Sequence, residues 1–96
     1  MELSKAFGLA LKALRKQKAL TQEDFSGVSS RTYLSTLERG LKGPSIEKLE
    51  HLAGVLNVHP ATILVAAYLC KDSTETRQSL LQKIDAELQA FENKHQ

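Results

Sequence analysis

The residues best equipped for chemistry in this 96-residue chain are neither nucleophiles nor metal ligands. They are hydrogen-bonding side chains set along one short helix. Between Thr21 and Gly40 the chain reads TQEDFSGVSSRTYLSTLERG. Its second half predicts a helix from about Arg31 to Arg39, with Ser30 as N-cap and Gly40 as the left-handed terminator. Leu34 and Leu37 lie three apart and face inward, whereas Arg31, Thr32, Ser35, Thr36 and Arg39 fall on or beside the opposite face. A helix with an apolar back and a hydrogen-bonding front fits a groove edged with donors and acceptors, and duplex DNA presents one. The first half predicts a shorter helix from Gln22 to about Ser26. Thr21 caps it, Glu23 and Asp24 suit its positive end, and Phe25 is its apolar anchor. Gly27, Ser29 and Ser30 make the turn between the two.

Other chemistries find no support in the residue pattern. The chain has no nucleophile–base arrangement, glycine-rich phosphate loop or metal-ligand spacing, and Ser29 and Ser30 read as turn and cap residues. An enzyme is therefore not expected, nor a cofactor, a metal or a small-molecule ligand. Cys70 is the single cysteine and closes an apolar run, so it reads as a small core residue. His51, His59 and His95 are too dispersed for a site. No segment approaches the roughly 18 apolar residues of a membrane span. The MELSKAFG start lacks the apolar stretch of a leader, so the cytoplasm is the expected location.

The formal charge of +2 is unevenly spread. Residues 1–71 hold ten Lys and Arg against six Asp and Glu, and residues 72–96 hold three against five. A basic head with an acidic tail favours an anionic partner at the head. With 42% apolar residues, few aromatics and no Trp, the core of this single small domain must be built from Leu, Ile, Val and Ala. A core that small is marginal, and dimerisation is a natural supplement.

The remaining elements must position the short helix. A first helix is predicted from about Leu3 to Lys18, with Leu3, Phe7, Ala10, Leu11 and Leu14 on one face. Lys12, Arg15, Lys16 and Lys18 crowd its C-terminal half, where they suit the dipole or a phosphate backbone alike. After the loop Leu41 to Ser45, a fourth helix runs from Ile46 to about Leu56, capped by Ser45, with Ile46, Leu49, Leu52, Ala53 and Leu56 as its core stripe. Pro60 opens a fifth helix to about Lys71 that is apolar nearly all round and needs cover on more than one face. In the tail, Asp72 and Glu75 resemble a capping box. A sixth helix follows to Phe91, with Leu81, Ile84, Leu88 and Phe91 spaced as a short heptad seam. Residues 93–96 are expected to fray. The expected organisation is a domain over 1–71 and a dimerisation element over 72–96. Its interface would be Val65, Tyr68 and Leu69 with Leu81, Ile84, Leu88 and Phe91. The simpler possibility is a monomer whose sixth helix folds back on its own fifth.

T-Q-E-D-F, then S-R-T-Y-L-S-x-L-E-R-G, then P-S and an apolar helix resemble the phage repressor/Cro-like (XRE) helix-turn-helix family, over residues 3–70. The resemblance implies an all-α fold: a five-helix repressor-like DNA-binding domain, here with a C-terminal sixth helix. Family members usually carry a longer stretch between the positions of Gln22 and Arg31, so the first helix of the motif, or its turn, is shortened here. By resemblance, Gln22 sits beside the DNA backbone, and Ser30, Arg31, Thr32, Ser35 and Thr36 face base edges. Arg can take guanine O6 and N7 together, while Ser and Thr are less selective. Tyr33 either lies on a sugar–phosphate strand or plugs the core. Arg39 and Lys42 flank the following loop and can clamp a second strand. The resemblance also pairs Arg15 with Glu38 in a structural ion pair.

The expected function is a DNA-binding transcriptional regulator, a repressor, that reads an inverted-repeat operator in double-stranded DNA as a homodimer. The alternative is a protein-interaction module, such as an antitoxin or anti-repressor, gripping a partner through the C-terminal helix. A ligand-sensing regulator is disfavoured because no sensor domain follows that helix.

Overall fold

The computed structural model describes residues 1–95. Helix α1 (Leu3–Gln17) buries Ala6, Phe7, Ala10 and Leu11, which recur on one face at helical spacing. Its end is sharp. The Leu20 N–H reaches the Arg15 carbonyl and the Ala19 N–H reaches Lys16, both at 3.0 Å. These are the paired bonds of a Schellman motif, and they hold Ala19 at φ 58°.

The expected second helix is not α-helical. Gln22–Phe25 is a single 3₁₀ turn of four residues. So short a segment closes mainly i→i+3 bonds, such as Ser26 N–H to Glu23 and Val28 N–H to Phe25, both at 3.0 Å. The described residues therefore form five α-helices, not six, with no strand. Phe25 still anchors the turn, fully buried.

Helix α2 (Arg31–Glu38) starts where Ser30 Oγ accepts from the Tyr33 N–H at 3.0 Å. It ends in a second Schellman motif, with Gly40 at φ 75° and Leu41 N–H bonded to Thr36 at 3.1 Å. Here glycine serves conformation and space together, because a Cβ at Gly40 would stand 2.7 Å from the Lys5 Cα. Gly8 plays the matching part on α1: a Cβ there would meet the Leu37 carbonyl oxygen at 2.5 Å and that of Glu38 at 2.6 Å. The two helices approach that closely only without side chains at these points.

Helix α3 (Ile46–Leu56) is capped by Ser45 Oγ, which accepts from the Lys48 N–H at 3.0 Å. Leu49, Leu52, Ala53 and Leu56 are buried. Ile46, expected in that stripe, is 85% exposed. As the first helical residue it leans toward the N-terminus, into an open apolar groove with Leu3, Pro44 and Leu64. Asn57 ends α3 in the left-handed region, which its short polar side chain tolerates.

Helix α4 (Pro60–Lys71) is capped by His59, whose Nδ1 accepts from the Ala61 N–H at 2.9 Å. Ile63 and Ala67 are buried, and α1 against α4 is the most extensive helix contact. Cys70, expected in the core, is exposed, one turn past the last buried residue of α4. On the outer face Leu64 and Tyr68 are also exposed.

The expected Asp72–Glu75 cap is replaced by one further along. Thr76 and Ser79 bond reciprocally, Ser79 N–H to Thr76 Oγ1 at 3.0 Å and Thr76 N–H to Ser79 Oγ at 3.2 Å, and α5 (Arg77–His95) begins there. Asp72 instead closes an Asx turn on the Thr74 N–H and hydroxyl, bonds that hold its carboxyl below the usual carboxylate range. Glu75 is lowered likewise, by hydrogen bonds from Ser79 and Lys83. Helix α5 makes only marginal contact with the others and does not fold back along α4. Helical geometry continues through the residues expected to fray as far as His95, and Gln96 lies outside the described residues.

Ala19 occupies a backbone region that costs a non-glycine residue about 1–2 kcal/mol, offset in glycine by unfolded-state entropy. Ala19→Gly should therefore stabilise the fold by roughly 0.5–1 kcal/mol, measured as a raised urea midpoint at unchanged m-value.

Candidate nucleic-acid interface

The short helix is held from behind. Leu34 and Leu37 are fully buried among Phe7, Leu11, Phe25 and Leu52. Its front is open: Ser30, Arg31, Thr32 and Arg39 are exposed, and Ser35 and Thr36 are half-buried. The Thr36 hydroxyl donates to the Thr32 carbonyl at 2.8 Å. Its proton is thereby committed, and it offers outward only acceptor lone pairs, the complement of an exocyclic amino group.

The only acid of α2, Glu38, is drawn away from this front. Arg15 Nε donates to Glu38 Oε2 at 2.6 Å and Arg15 Nη2 to Oε1 at 3.0 Å, a fork-on-fork pair in which each residue is 9% exposed. Arg15 Nη1 also donates to the Leu20 carbonyl at 3.0 Å. Hydrogen bonding to Glu38 raises the Arg15 pKa above its ordinary value, against the lowering effect of burial. Gln22 joins this network, its Nε2 donating to Glu38 Oε1 at 3.1 Å. The structure thus places Gln22 under the C-terminal end of α2, with one amide proton committed to protein. Asp24 accepts from the Thr21 N–H at 2.7 Å and the Thr21 hydroxyl at 3.1 Å, closing the start of the 3₁₀ turn.

Tyr33 does two things at once. It packs on the core cluster, and its ring carries two ammonium groups, Lys42 Nζ at 4.5 Å and Lys48 Nζ at 5.3 Å from the centroid. Lys48 was not among the residues singled out from sequence, yet it carried a signal. It is the third residue of α3, a first-turn position where the dipole disfavours a cation. Among the described residues no cluster of His, Cys, Asp and Glu could hold a metal.

The residues named for a dimer seam lie on two elements. Val65, Tyr68 and Leu69 sit on the outer side of α4, Tyr68 exposed and the others half-buried. Leu81, Leu88 and Phe91 are exposed on α5, and Ile84 is half-buried. Of these α5 residues, Leu81 lines an open apolar groove together with Val65 and Leu69 of α4.

Comparisons agree with this geometry. Residues 11–63 match the model of the helix-turn-helix family. Over 60 residues the chain is 42% identical to the uncharacterized HTH-type transcriptional regulator y4dJ of Sinorhizobium fredii, covering 60% of this chain and 78% of that protein. Over 67 residues it is 36% identical to the immunity repressor protein of Bacillus phage phi105, covering 68% of this chain but only 46% of that one. Two crystal structures of the clp gene regulator ClgR from Corynebacterium glutamicum superpose with TM-scores of 0.66 and 0.67 at 34% and 29% identity. They cover 71% and 95% of this chain, and 90% of ClgR in each case.

Removing one partner of the Arg15–Glu38 pair strands a buried charge. Arg15→Met and Glu38→Gln should each destabilise by roughly 3–5 kcal/mol, while the double variant should recover much of that loss. Chemical denaturation of the four species around this cycle measures the coupling.

Proposed function

The chain belongs to the XRE-type helix-turn-helix family of DNA-binding transcriptional regulators, and from that premise we propose that it represses transcription by docking α2 in the major groove as a homodimer. The observation that carries this reading is α2 itself: its apolar back is fully buried, its one acid is neutralised inside, and its front bears only hydroxyls and cations. Arg31 at the tip is the base reader best suited to guanine, with Ser30, Thr32, Ser35 and Thr36 as less selective neighbours. Arg39, Lys42 and Tyr33 serve the phosphate strand on the far side. Gln22 serves the near strand with its remaining amide proton.

In this reading residues 1–71 form the DNA-binding unit and residues 72–96 the dimerisation element. The apolar outer face of α4, where Leu64 and Tyr68 are exposed, and the seam of α5, where Leu81 and Leu88 are exposed, support a homodimer. A symmetric dimer would set its two α2 helices about 34–36 Å apart or a multiple of that, matching an inverted repeat. No described helix is long and apolar enough by itself to cross a membrane, and a DNA-binding role places the chain with the DNA, in the cytoplasm. The exposed α5 seam would also suit a partner protein. In that case the isolated chain would show no salt-dependent binding to duplex DNA.

Selection of bound sequences from a random duplex pool tests the reading: an inverted repeat should emerge, and an unenriched pool would reject it. Against the selected site, Arg31→Ala should weaken binding by roughly 1–3 kcal/mol and relax preference at one base pair per half-site. Leu88→Glu changes an exposed residue, so the fold should persist. Sedimentation should then report monomer, and operator affinity should fall about 100-fold or more as the two half-sites uncouple.

A further inference from the structure

Lys48, Tyr33 and Lys42 come from three different segments: the start of α3, the first turn of α2 and the loop between them. The Lys48 ammonium donates to the Val28 carbonyl, in the turn just before α2, and lies over the Tyr33 ring. The Lys42 ammonium lies over the same ring. Sharing one ring keeps the two charges within about a Debye length at 0.1 M salt, roughly 10 Å. Among the described residues neither forms an ion pair with a carboxylate. Lys48 also opposes the α3 dipole from its first-turn position. Two cations gathered without an anion, on a scaffold the sequence could have left neutral, describe a place for an anion.

We propose that Lys42, Lys48 and the Tyr33 hydroxyl form a seat for one DNA backbone phosphate on the α3 side of α2. This rests on the DNA-binding reading above. A backbone phosphate is the occupant because a duplex that receives the front of α2 brings a strand along the flank where Lys42 and Tyr33 stand. Lys48 commits one N–H to Val28 and keeps two for a non-bridging oxygen. Lys42 and the Tyr33 phenol supply further donors. Lys48 is also a positioning residue. Through Val28 it fastens the turn that ends at Ser30, so the phosphate it holds is tied to the cap from which α2 starts.

The test is the salt dependence of duplex binding by the full chain, with variants that separate charge from packing. Each phosphate neutralised adds about 0.9 to the slope of log affinity against log salt. Lys48→Gln keeps an N–H donor for Val28 and removes the charge, so its slope should be shallower than wild type by about 0.9. Lys42→Ala should show the same change, the double variant should lose no more than either alone because a single phosphate is at stake, and Lys48→Arg should keep the wild-type slope. Over a fourfold rise in salt, wild type should lose roughly three- to fourfold more affinity than Lys48→Gln. Lys83→Ala, which removes a cation of α5 paired with Glu75, should leave the slope unchanged. An unchanged slope in Lys48→Gln, even with lower affinity, overturns the seat and leaves Lys48 a purely structural clasp. Wild-type binding without salt dependence would instead sink the DNA-binding reading, and the seat with it.

Discussion

One buried ion pair decides how the short helix is presented. Arg15 and Glu38 meet side-on with both ends of the guanidinium fork engaged, and the remaining valences go to the Leu20 carbonyl and the Gln22 amide. A charge pair out of water holds only when the desolvation of both ions is met by such a complete set of hydrogen bonds. That demand fixes four segments together: the last turn of α1, the link through Leu20, the start of the 3₁₀ turn and the last turn of α2. The backbone cooperates. Ala19 accepts a left-handed conformation so that the chain turns back beneath Arg15, and Gly8 lets α1 lie against the carbonyls of Leu37 and Glu38. The pair also has an electrostatic consequence, because a carboxylate on the front of α2 would repel any polyanion, and Arg15 holds it inside.

Much of this was legible in the sequence because it depends on local rules. Ser30 and Ser45 cap, Gly40 terminates, Pro60 begins a helix, and Leu34 and Leu37 point inward because helical periodicity leaves them no other choice. What escaped depends on context. The 3₁₀ turn has four residues, too few for periodicity to distinguish it from an α-helix. Ile46 and Cys70 obey the stripe rule yet fall at the ends of their own helices, the first residue of α3 and the last but one of α4, and both are exposed. Asp72 had two partners within reach. The Thr74 hydroxyl and N–H closed an Asx turn before a helix could start, and the cap moved to Thr76. His59 does the work of a capping Ser or Asp through Nδ1, which residue-type preferences do not anticipate. Tyr33 was left open between core and phosphate strand; it packs on the core cluster while its ring carries the Lys42 ammonium.

The all-apolar character of α4 was a sound signal that one body could not cover it. Ile63 and Ala67 face α1, but Leu64 and Tyr68 remain in solvent, and α5 leaves the body instead of returning over them. An apolar arm beside an apolar face is a poor arrangement for an isolated chain and a good one for two chains that bury both. A C₂ relation would also give the two reading helices the fixed separation that symmetric DNA sites require.

Positioning of α2 therefore has two ends. At its C-terminus the Arg15–Glu38–Gln22 network holds the last turn from within the body, in low dielectric and beyond the reach of salt. At its N-terminus Lys48 reaches from α3 to the turn before Ser30, at the edge of solvent, where ions and phosphates compete for it. The inner fastening is indifferent to what lies outside. The outer one is made of the same groups that would meet a DNA strand. In the proposed reading, a strand that engages that cation would meet the same group that fastens the turn leading into Ser30 and Arg31.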